Sequence, residues 1–482
     1  MLKKIVSSTI SQIFKILTAI ISIFLLALLT KYLSPELYGQ YNRVYNYLAF
    51  FTFFADLGLY TIAVREISKT PKDAGKIVGN ILSLRLTLGI FSCLLALGLA
   101  FFLPGYHTPL FLGAIGIVSV FSILSLMNSS FLSLMQAHMK MEFSLLSSVV
   151  NKLLTFGFIA CVAYIWYPVE EHTNFSHAFL AILGAGMIGI FVNTSLNWYY
   201  ANRITPIRFL WDFPYIKYIF FTSLPYGIAL FLSVVYMKID IIFLSILPLP
   251  NINADIAIAL YSVPMKILEV LMVMSFFLAS ILPSLTASIQ EKKTQNFEKI
   301  FSGSFRFLLS FLLIFVFGKL LEDILRIVTS NAYLDPSLAG ATSFDVLVIV
   351  LFGLIFSFLF SLYQYITIAQ KKETLLLKIN ALMTCVNMVN IIMIPIFFLA
   401  ARVTCVCQIL LFVSITLIQK KIPLIREWKY ILCIIGISIG IWMLGKNILI
   451  SFSLAVNLIG IGGLFLVFIG MSWFVHHHIP YK

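Results

Sequence analysis

Residues 110–134 read LFLGAIGIVSVFSILSLMNSSFLSL, a run without one ionisable side chain. A helix that crosses a bilayer needs about 20 predominantly apolar residues, and this run exceeds that length. Comparable runs recur along the chain. They predict spans near 10–31, 40–64, 79–103, 110–134, 145–167, 178–200, 218–247, 259–284, 304–321, 344–369, 379–400, 404–420, 430–450 and 454–475. The reading is an all-α integral membrane protein with about fourteen transmembrane helices. Composition agrees: 61% of the 482 residues are apolar and 11% are charged, whereas a soluble domain carries roughly a quarter charged residues. With so little polar surface, lipid is the solvent that suits the chain.

The formal net charge of +14 would suggest nucleic acid in a soluble protein. Here the basic residues sit between apolar runs and report topology, so no nucleic-acid partner is expected. A secondary attraction to anionic membrane lipids is expected. Of the 33 Lys and Arg, 22 fall in alternate connections: Lys3, Lys4; Arg65, Lys69, Lys72, Lys76; Lys140; Arg203, Arg208, Lys217; Lys292, Lys293, Lys299, Arg306; Lys371, Lys372, Lys378; Lys420, Lys421, Arg426, Lys429; Lys482. The other set holds six: Lys31, Arg43, Lys319, Arg326, Arg402 and Lys446. The positive-inside rule then places both termini in the cytoplasm, an arrangement that needs an even number of spans. Met1-Leu-Lys-Lys before the first run is read as the flank of an uncleaved span. The other connections are short, the longest near 322–343, and offer no extramembrane domain for separate chemistry.

Familiar motifs yield bland readings. Gly184-Ala-Gly186-Met-Ile-Gly189 fits a dinucleotide fingerprint but lies inside an apolar span with no preceding strand, so close helix packing is expected. The six cysteines sit in or beside apolar runs and read as small apolar residues. His476-His477-His478 reads as an interfacial polar cap. No catalytic or metal-binding signature appears in the sequence, and neither an enzyme activity nor a cofactor is expected. Pro225, Pro264, Pro283 and Pro395 fall inside spans and kink them.

The informative residues are the ionisable groups within spans, each costing about 2.5–3.5 kcal/mol on insertion scales. Lys15, Arg85 and Lys152 lie near the cytoplasmic ends of their helices and could snorkel. Lys238 and Lys266 are deeper, while the short carboxylates of Asp56, Asp240 and Glu269 snorkel poorly. Lys266 and Glu269 are three apart and share a helix face; Lys238 and Asp240 are two apart and do not. These groups form either structural ion pairs or a hydrated, net cationic cavity. A faint internal repeat accompanies them: Tyr41 recurs as Tyr261, and Arg85 as Arg306, at an offset of 220 or 221 residues. Spans 1–6 and 7–12 would then be parallel halves.

Certain stretches carry a resemblance: Lys31-Tyr-Leu-Ser-Pro-Glu-Leu-Tyr-Gly-Gln-Tyr41, Phe54-Ala-Asp-Leu-Gly-Leu59 with Arg65-Glu66, Lys238-Ile-Asp-Ile-Ile-Phe-Leu244 and Ala259-Leu-Tyr-Ser-Val-Pro-Met-Lys266. The chain resembles the Wzx-type O-antigen and polysaccharide flippases of the multidrug/oligosaccharidyl-lipid/polysaccharide (MOP) exporter superfamily, over its whole length. The resemblance implies two six-helix halves, 1–215 and 216–425, with two added spans in 426–482. It implies translocation of undecaprenyl-pyrophosphate-linked oligosaccharide to the periplasmic leaflet of a bacterial inner membrane, driven by an H⁺ or Na⁺ gradient. Other glycan-assembly proteins are implied as partners. Substrate binding is expected at Lys238, Lys266, Arg85, Lys152, Lys15 and Arg43, and ion coupling or charge pairing at Asp240, Glu269 and Asp56. The family often carries Arg where Lys238 and Lys266 stand, which keeps the charge but changes the hydrogen-bonding fork. Two rivals remain. A drug/cation antiporter of the same fold would favour an acidic cavity, and a membrane glycan polymerase or ligase would need a larger outer loop.

Reporter fusions after Lys72 and Lys293 are expected to read cytoplasm. A periplasmic signal at either would overturn the topology.

Overall fold

The structure is a computed structural model that describes residues 2–168, 175–246, 252–272, 301–304 and 318–369, with short helical stretches between 375 and 414. The spans expected at 379–400, 404–420, 430–450 and 454–475 lie wholly or largely outside the described residues, as does most of 304–321. Every described element is helical: α1 Leu2–Tyr32, α2 Pro35–Asp56, α3 Leu59–Lys69, α4 Ala74–Ala100, α5 Pro109–Ala137, α6 Met141–Cys161, α7 Phe175–Ile204, α8 Phe213–Ile246, α9 Ala254–Met272, α10 Gly318–Val328 and α11 Ser343–Ala369. Among the described residues, six helical segments are long and apolar enough to cross a membrane. The chain divides into two compact units, Met1–Ser262 and Val263–Lys482, with the division inside α9.

Local sequence explains where the helices begin. Ser34 precedes Pro35, and its hydroxyl accepts from the Leu37 N–H at 3.3 Å. Thr108 precedes Pro109 and caps α5 in the same way through the Phe111 N–H. Proline at the first helical position costs nothing, because its missing N–H would have no intrahelical partner. The helices run beyond the apolar windows: α7 has 30 residues, about 45 Å at 1.5 Å each, which reaches through the headgroup layers.

One expected span is broken. The window 40–64 becomes α2 and α3, separated at Leu57 (φ 41°) and Gly58 (φ 71°). Both residues are left-handed, a conformation free for glycine but costing roughly 1–2 kcal/mol for leucine. Helix α8 covers the break. A Cβ at its Gly227 would stand 2.4 Å from the Leu57 carbonyl oxygen, so only glycine permits this approach.

Within the first unit, α5 packs against α2, α3, α4 and α7, α7 also against α6, and α6 against α1. Two apolar clusters sit toward opposite ends of α4 and α5. One joins Ile62, Ile77, Ile81, Phe131 and Leu134 with Ile216 and Ile219 of α8; the other joins Val44, Tyr47, Ala100, Phe111, Ile115 and Phe179. Lipid tails are as apolar as these side chains, so the clusters hold the helices by packing more than by the hydrophobic effect. Two of the three glycines in the α7 run serve close packing, while nothing lies within 4 Å of a Cβ at Gly184. A Cβ at Gly189 would meet Thr155 Oγ1 at 2.1 Å, and one at Gly186 would meet the Tyr45 hydroxyl at 2.9 Å.

Gly227→Ala is expected to destabilise the protein by about 1–3 kcal/mol, because the obstructing atoms are backbone and cannot swing aside. Thermal unfolding of the purified protein in detergent measures this; an unchanged midpoint would contradict the approach of α8 to the break.

Candidate functional site

The break in α2–α3 places a carboxylate where an arginine can reach it. Asp56 is the last residue of α2 and Arg85 lies in α4, with no exposure of its side chain. Arg85 Nη2 donates to Asp56 Oδ1 at 2.5 Å, and Nη1 donates to Ser130 Oγ of α5 at 2.8 Å. The guanidinium thus ties three helices together. Asp56 remains about a quarter exposed, so the pair opens toward its carboxylate side. One turn beyond, the Tyr60 hydroxyl donates to Gln136 Oε1, continuing the polar contact between α3 and α5.

A second charge stands about two turns into α2. Arg43 Nη1 lies 3.0 Å from Asp255 Oδ1 of α9, with both side chains at most a tenth exposed. Its Nη2 donates to the Gly105 carbonyl at 3.0 Å. The guanidinium also lies over the Phe111 and Tyr106 rings, at 4.3 and 5.0 Å from their centroids. Tyr106 shares a 2.7 Å hydrogen bond with Ser245 of α8. Two further contacts bring α9 onto α2: Asn253 donates to Glu36 at 3.1 Å, and a Cβ at Gly39 would be 1.8 Å from the Asp255 carbonyl oxygen. An arginine held by a carboxylate, a carbonyl and two rings is immobilised in a way a snorkelling lysine is not.

Asp240, fully buried in α8, accepts a 2.5 Å hydrogen bond from the Tyr261 hydroxyl of α9. Lys266 and Glu269 share a face of α9, as their spacing required, and pair at 2.8 Å with each side chain a little under half exposed. These two lie in the second compact unit. Lys152 is half-buried in α6. Lys15 lies in α1 and Lys238 in α8, and both side chains fall outside the described ones.

The structure therefore joins Arg85 with Asp56 and Lys266 with Glu269, and gives Arg43 and Asp240 partners that sequence reasoning had not assigned. Asp255, Ser130, Tyr106 and Tyr261 were missed as partners. Asp255 had a faint signal, as an acid opening a helix after a short loop. Ser130 had none, because a serine in an apolar run is indistinguishable from one bonded to its own helix. Two uncharged constellations complete the interior of the first unit. Asn197 Nδ2 of α7 donates to Asn128 Oδ1 of α5 at 2.7 Å and to Asn193 Oδ1 at 3.2 Å. The Tyr41 and Tyr45 rings of α2 lie 4.8 Å apart and tilted at 53°, and Tyr45 packs edge to face with Phe121 of α5.

Long apolar helices joined through buried ion pairs and hydrogen-bonded carboxylates define a multi-pass α-helical membrane protein. Residues 1–289 match the polysaccharide biosynthesis protein family, and the chain belongs to that family. Among solved structures, it is similar to the lipid II flippase MurJ in an inward closed conformation. That likeness has a TM-score of 0.70 and 14% identity, covering 97% of this chain and 99% of the other. It is also similar to an inward-facing multidrug resistance MATE transporter of the MOP superfamily, with a TM-score of 0.62 and 13% identity over 86% of this chain and 99% of that one. A third is a MOP superfamily transporter from Pyrococcus furiosus described as having a binding pocket of reversed polarity, with a TM-score of 0.55 and 14% identity over 85% and 92%. At these identities the likenesses establish the shared fold. No curated protein matches the sequence.

Asp56→Asn leaves buried Arg85 with a neutral partner, and Arg85→Gln removes the cation that pairs with Asp56. Each is expected to lower stability, and the double variant to cost less than the two together. A double-mutant cycle of unfolding in detergent is expected to give a coupling energy of about 0.5–3 kcal/mol, the partial exposure of Asp56 favouring the low end. Additive effects would deny the pair a structural role.

Proposed function

We propose that the protein is a flippase for polyprenyl-pyrophosphate-linked oligosaccharide, an O-antigen or capsule repeat unit, moving it from the cytoplasmic to the periplasmic leaflet of a bacterial inner membrane. The observation that carries this reading is the extent of the fold likeness. The lipid II flippase accounts for 97% of this chain and the multidrug transporter for 86%. The difference, about a tenth of the chain, is the length of two further spans at about 20 residues each. The family match over residues 1–289 points the same way.

The chemistry of such a substrate is demanding. Its pyrophosphate is anionic and its glycan polar, and neither crosses hydrocarbon unaided, whereas the prenyl tail can stay in lipid. Cationic side chains at mid-depth lower the barrier for the head group, and Lys238 and Lys266 are assigned that role, with Arg85, Lys152, Lys15 and Arg43 contributing positive potential. Alternating exposure of the head group to the two sides completes transfer without ATP. An H⁺ or Na⁺ gradient couples through a carboxylate whose charge state biases inward against outward forms. Asp240 and Glu269 are first in line, with Asp56 behind them. Both termini are assigned to the cytoplasm, and other glycan-assembly proteins are natural partners. A MATE-type antiporter of drugs or cations is the second reading, favoured by the likeness to multidrug transporters. The excess of intramembrane cations over carboxylates makes it the weaker one.

Lys266 offers the cleaner test. Its pair with Glu269 is nearly half exposed, and such pairs contribute about 0–1 kcal/mol, so losing it should spare the fold. In a flippase-deficient strain, Lys266→Arg and Lys238→Arg are expected to preserve surface glycan. Lys266→Gln is expected to cut export about tenfold or more, the scale of a lost charge-assisted hydrogen bond of about 1.5–3 kcal/mol, at unchanged membrane abundance. Full export by the Lys238→Gln/Lys266→Gln variant would refute the binding role, and loss in proportion to protein abundance would leave only a structural one.

A further inference from the structure

Between α7 and α8 the chain leaves helix for eight residues, 205–212, reading TPIRFLWD. Proline at 206 ends α7, because a residue before proline is pushed out of helical conformation. Asp212 starts α8 by accepting from the Tyr215 N–H at 3.3 Å. The strap between them is held against α4. Lys76 pairs with Asp212 at 3.0 Å, and Asn80 Oδ1 accepts from the Asp212 N–H at 2.7 Å. A Cβ at Gly75 would be 2.7 Å from the Pro206 carbonyl oxygen, and one at Gly79 only 2.2 Å from that of Arg208. At the other end Asn202 Oδ1 accepts from the Ile207 N–H at 2.9 Å. Four contacts to α4 make this a seated segment.

Its outer side has an unusual composition. Phe209, Trp211 and Phe213 are 58%, 57% and 65% exposed, and Leu210 is 38% exposed. Arg203, Arg208 and Lys217 are exposed around them. Two physical limits decide what environment suits such a surface. Irregular backbone with open N–H and C=O groups is not tolerated against hydrocarbon, where each unsatisfied group costs several kcal/mol. Large apolar side chains gain nothing from bulk water, where each forfeits the free energy of burial. The headgroup layer satisfies both, supplying water and phosphate for the backbone and an apolar boundary for the rings. The three cations select the sign of the headgroups, because a basic residue near an anionic leaflet is attracted to its surface potential.

We propose that the strap between α7 and α8 is a binding site for anionic phospholipid headgroups, with Phe209, Trp211 and Phe213 seated in the interfacial layer and Arg203, Arg208 and Lys217 pairing with lipid phosphate. The strap is thereby an anchor that fixes the depth of α4, α7 and α8 in the cytoplasmic leaflet. The proposal depends on the membrane topology and not on which cargo the protein moves, so its test needs no transport.

The full-length protein is reconstituted in phosphatidylcholine vesicles with and without phosphatidylglycerol. Spin-labelled lipids carry the quencher either at the headgroup or at the chain end. The fluorescence lost in Trp211→Phe isolates the signal of Trp211. Headgroup-labelled lipid is expected to quench that signal more than chain-end label does, and more than aqueous iodide. Stronger quenching by iodide or by chain-end label would overturn the interfacial placement. Separately, phosphatidylglycerol added to detergent-solubilised protein is expected to raise the unfolding midpoint, whereas glycerol phosphate, which lacks acyl chains, is not. The Arg208→Gln/Lys217→Gln variant, changed only at exposed positions, is expected to lose most of that rise at equal initial stability. An undiminished rise in the variant, or an equal rise with glycerol phosphate, would refute an anionic-lipid site at the strap.

Discussion

A peptide group in hydrocarbon has no water to bond, and this constraint organises the protein. It obliges each crossing segment to satisfy its own backbone and so to be helical. It also makes every departure from helix visible as something that needs support. The break at Leu57 and Gly58 sits under α8, which has a glycine at the point of contact. The strap at 205–212 lies on α4, against two further glycines and the side chains of Lys76 and Asn80. The Gly105 turn is closed by the Arg43 guanidinium on its carbonyl.

The same constraint governs the charges. An ion without a partner in lipid is costly, and α2 carries two such obligations. Arg43 reaches α9 through Asp255, and Asp56 reaches α4 through Arg85. A buried pair does not by itself add stability, because desolvation offsets the Coulomb attraction; removing one member does far more damage than replacing both. What the pairs supply is geometry. Arg85 can satisfy Asp56 and Ser130 together only when α2, α4 and α5 stand in one register. Arg43 likewise requires α2, α5 and α9 at once. Helix packing in lipid is weakly specified by apolar contacts, and hydrogen-bonded polar groups are what make it particular.

For transport, charges held in pairs differ from charges left accessible. Lys266 and Glu269 pair with each other and remain nearly half exposed, so substrate or solvent can compete for them. Arg43 and Arg85 are enclosed and committed to protein partners. The first kind suits reversible binding in the proposed flippase, and the second suits holding a helix bundle to one shape while substrate passes.

The amino-acid sequence by itself determined the solvent and the class of fold, because twenty apolar residues in a row admit few outcomes besides a membrane helix. It also marked the intramembrane charges, since each stands out against an apolar background, and the shared face of Lys266 and Glu269 followed from helical spacing alone. Helix ends were legible only approximately: hydropathy reports the hydrocarbon slab, and the helices continue through the headgroup layers, as α7 does. Only the tertiary structure decided that the window 40–64 is two helices, since a left-handed leucine has no signature in apolar sequence. It alone decided that Arg43 belongs with Asp255, Arg85 with Asp56 and Ser130, and Asp240 with Tyr261. Those choices depend on which helix faces lie against each other, and a run of apolar residues leaves the rotation of a helix about its own axis almost free until its neighbours are in place.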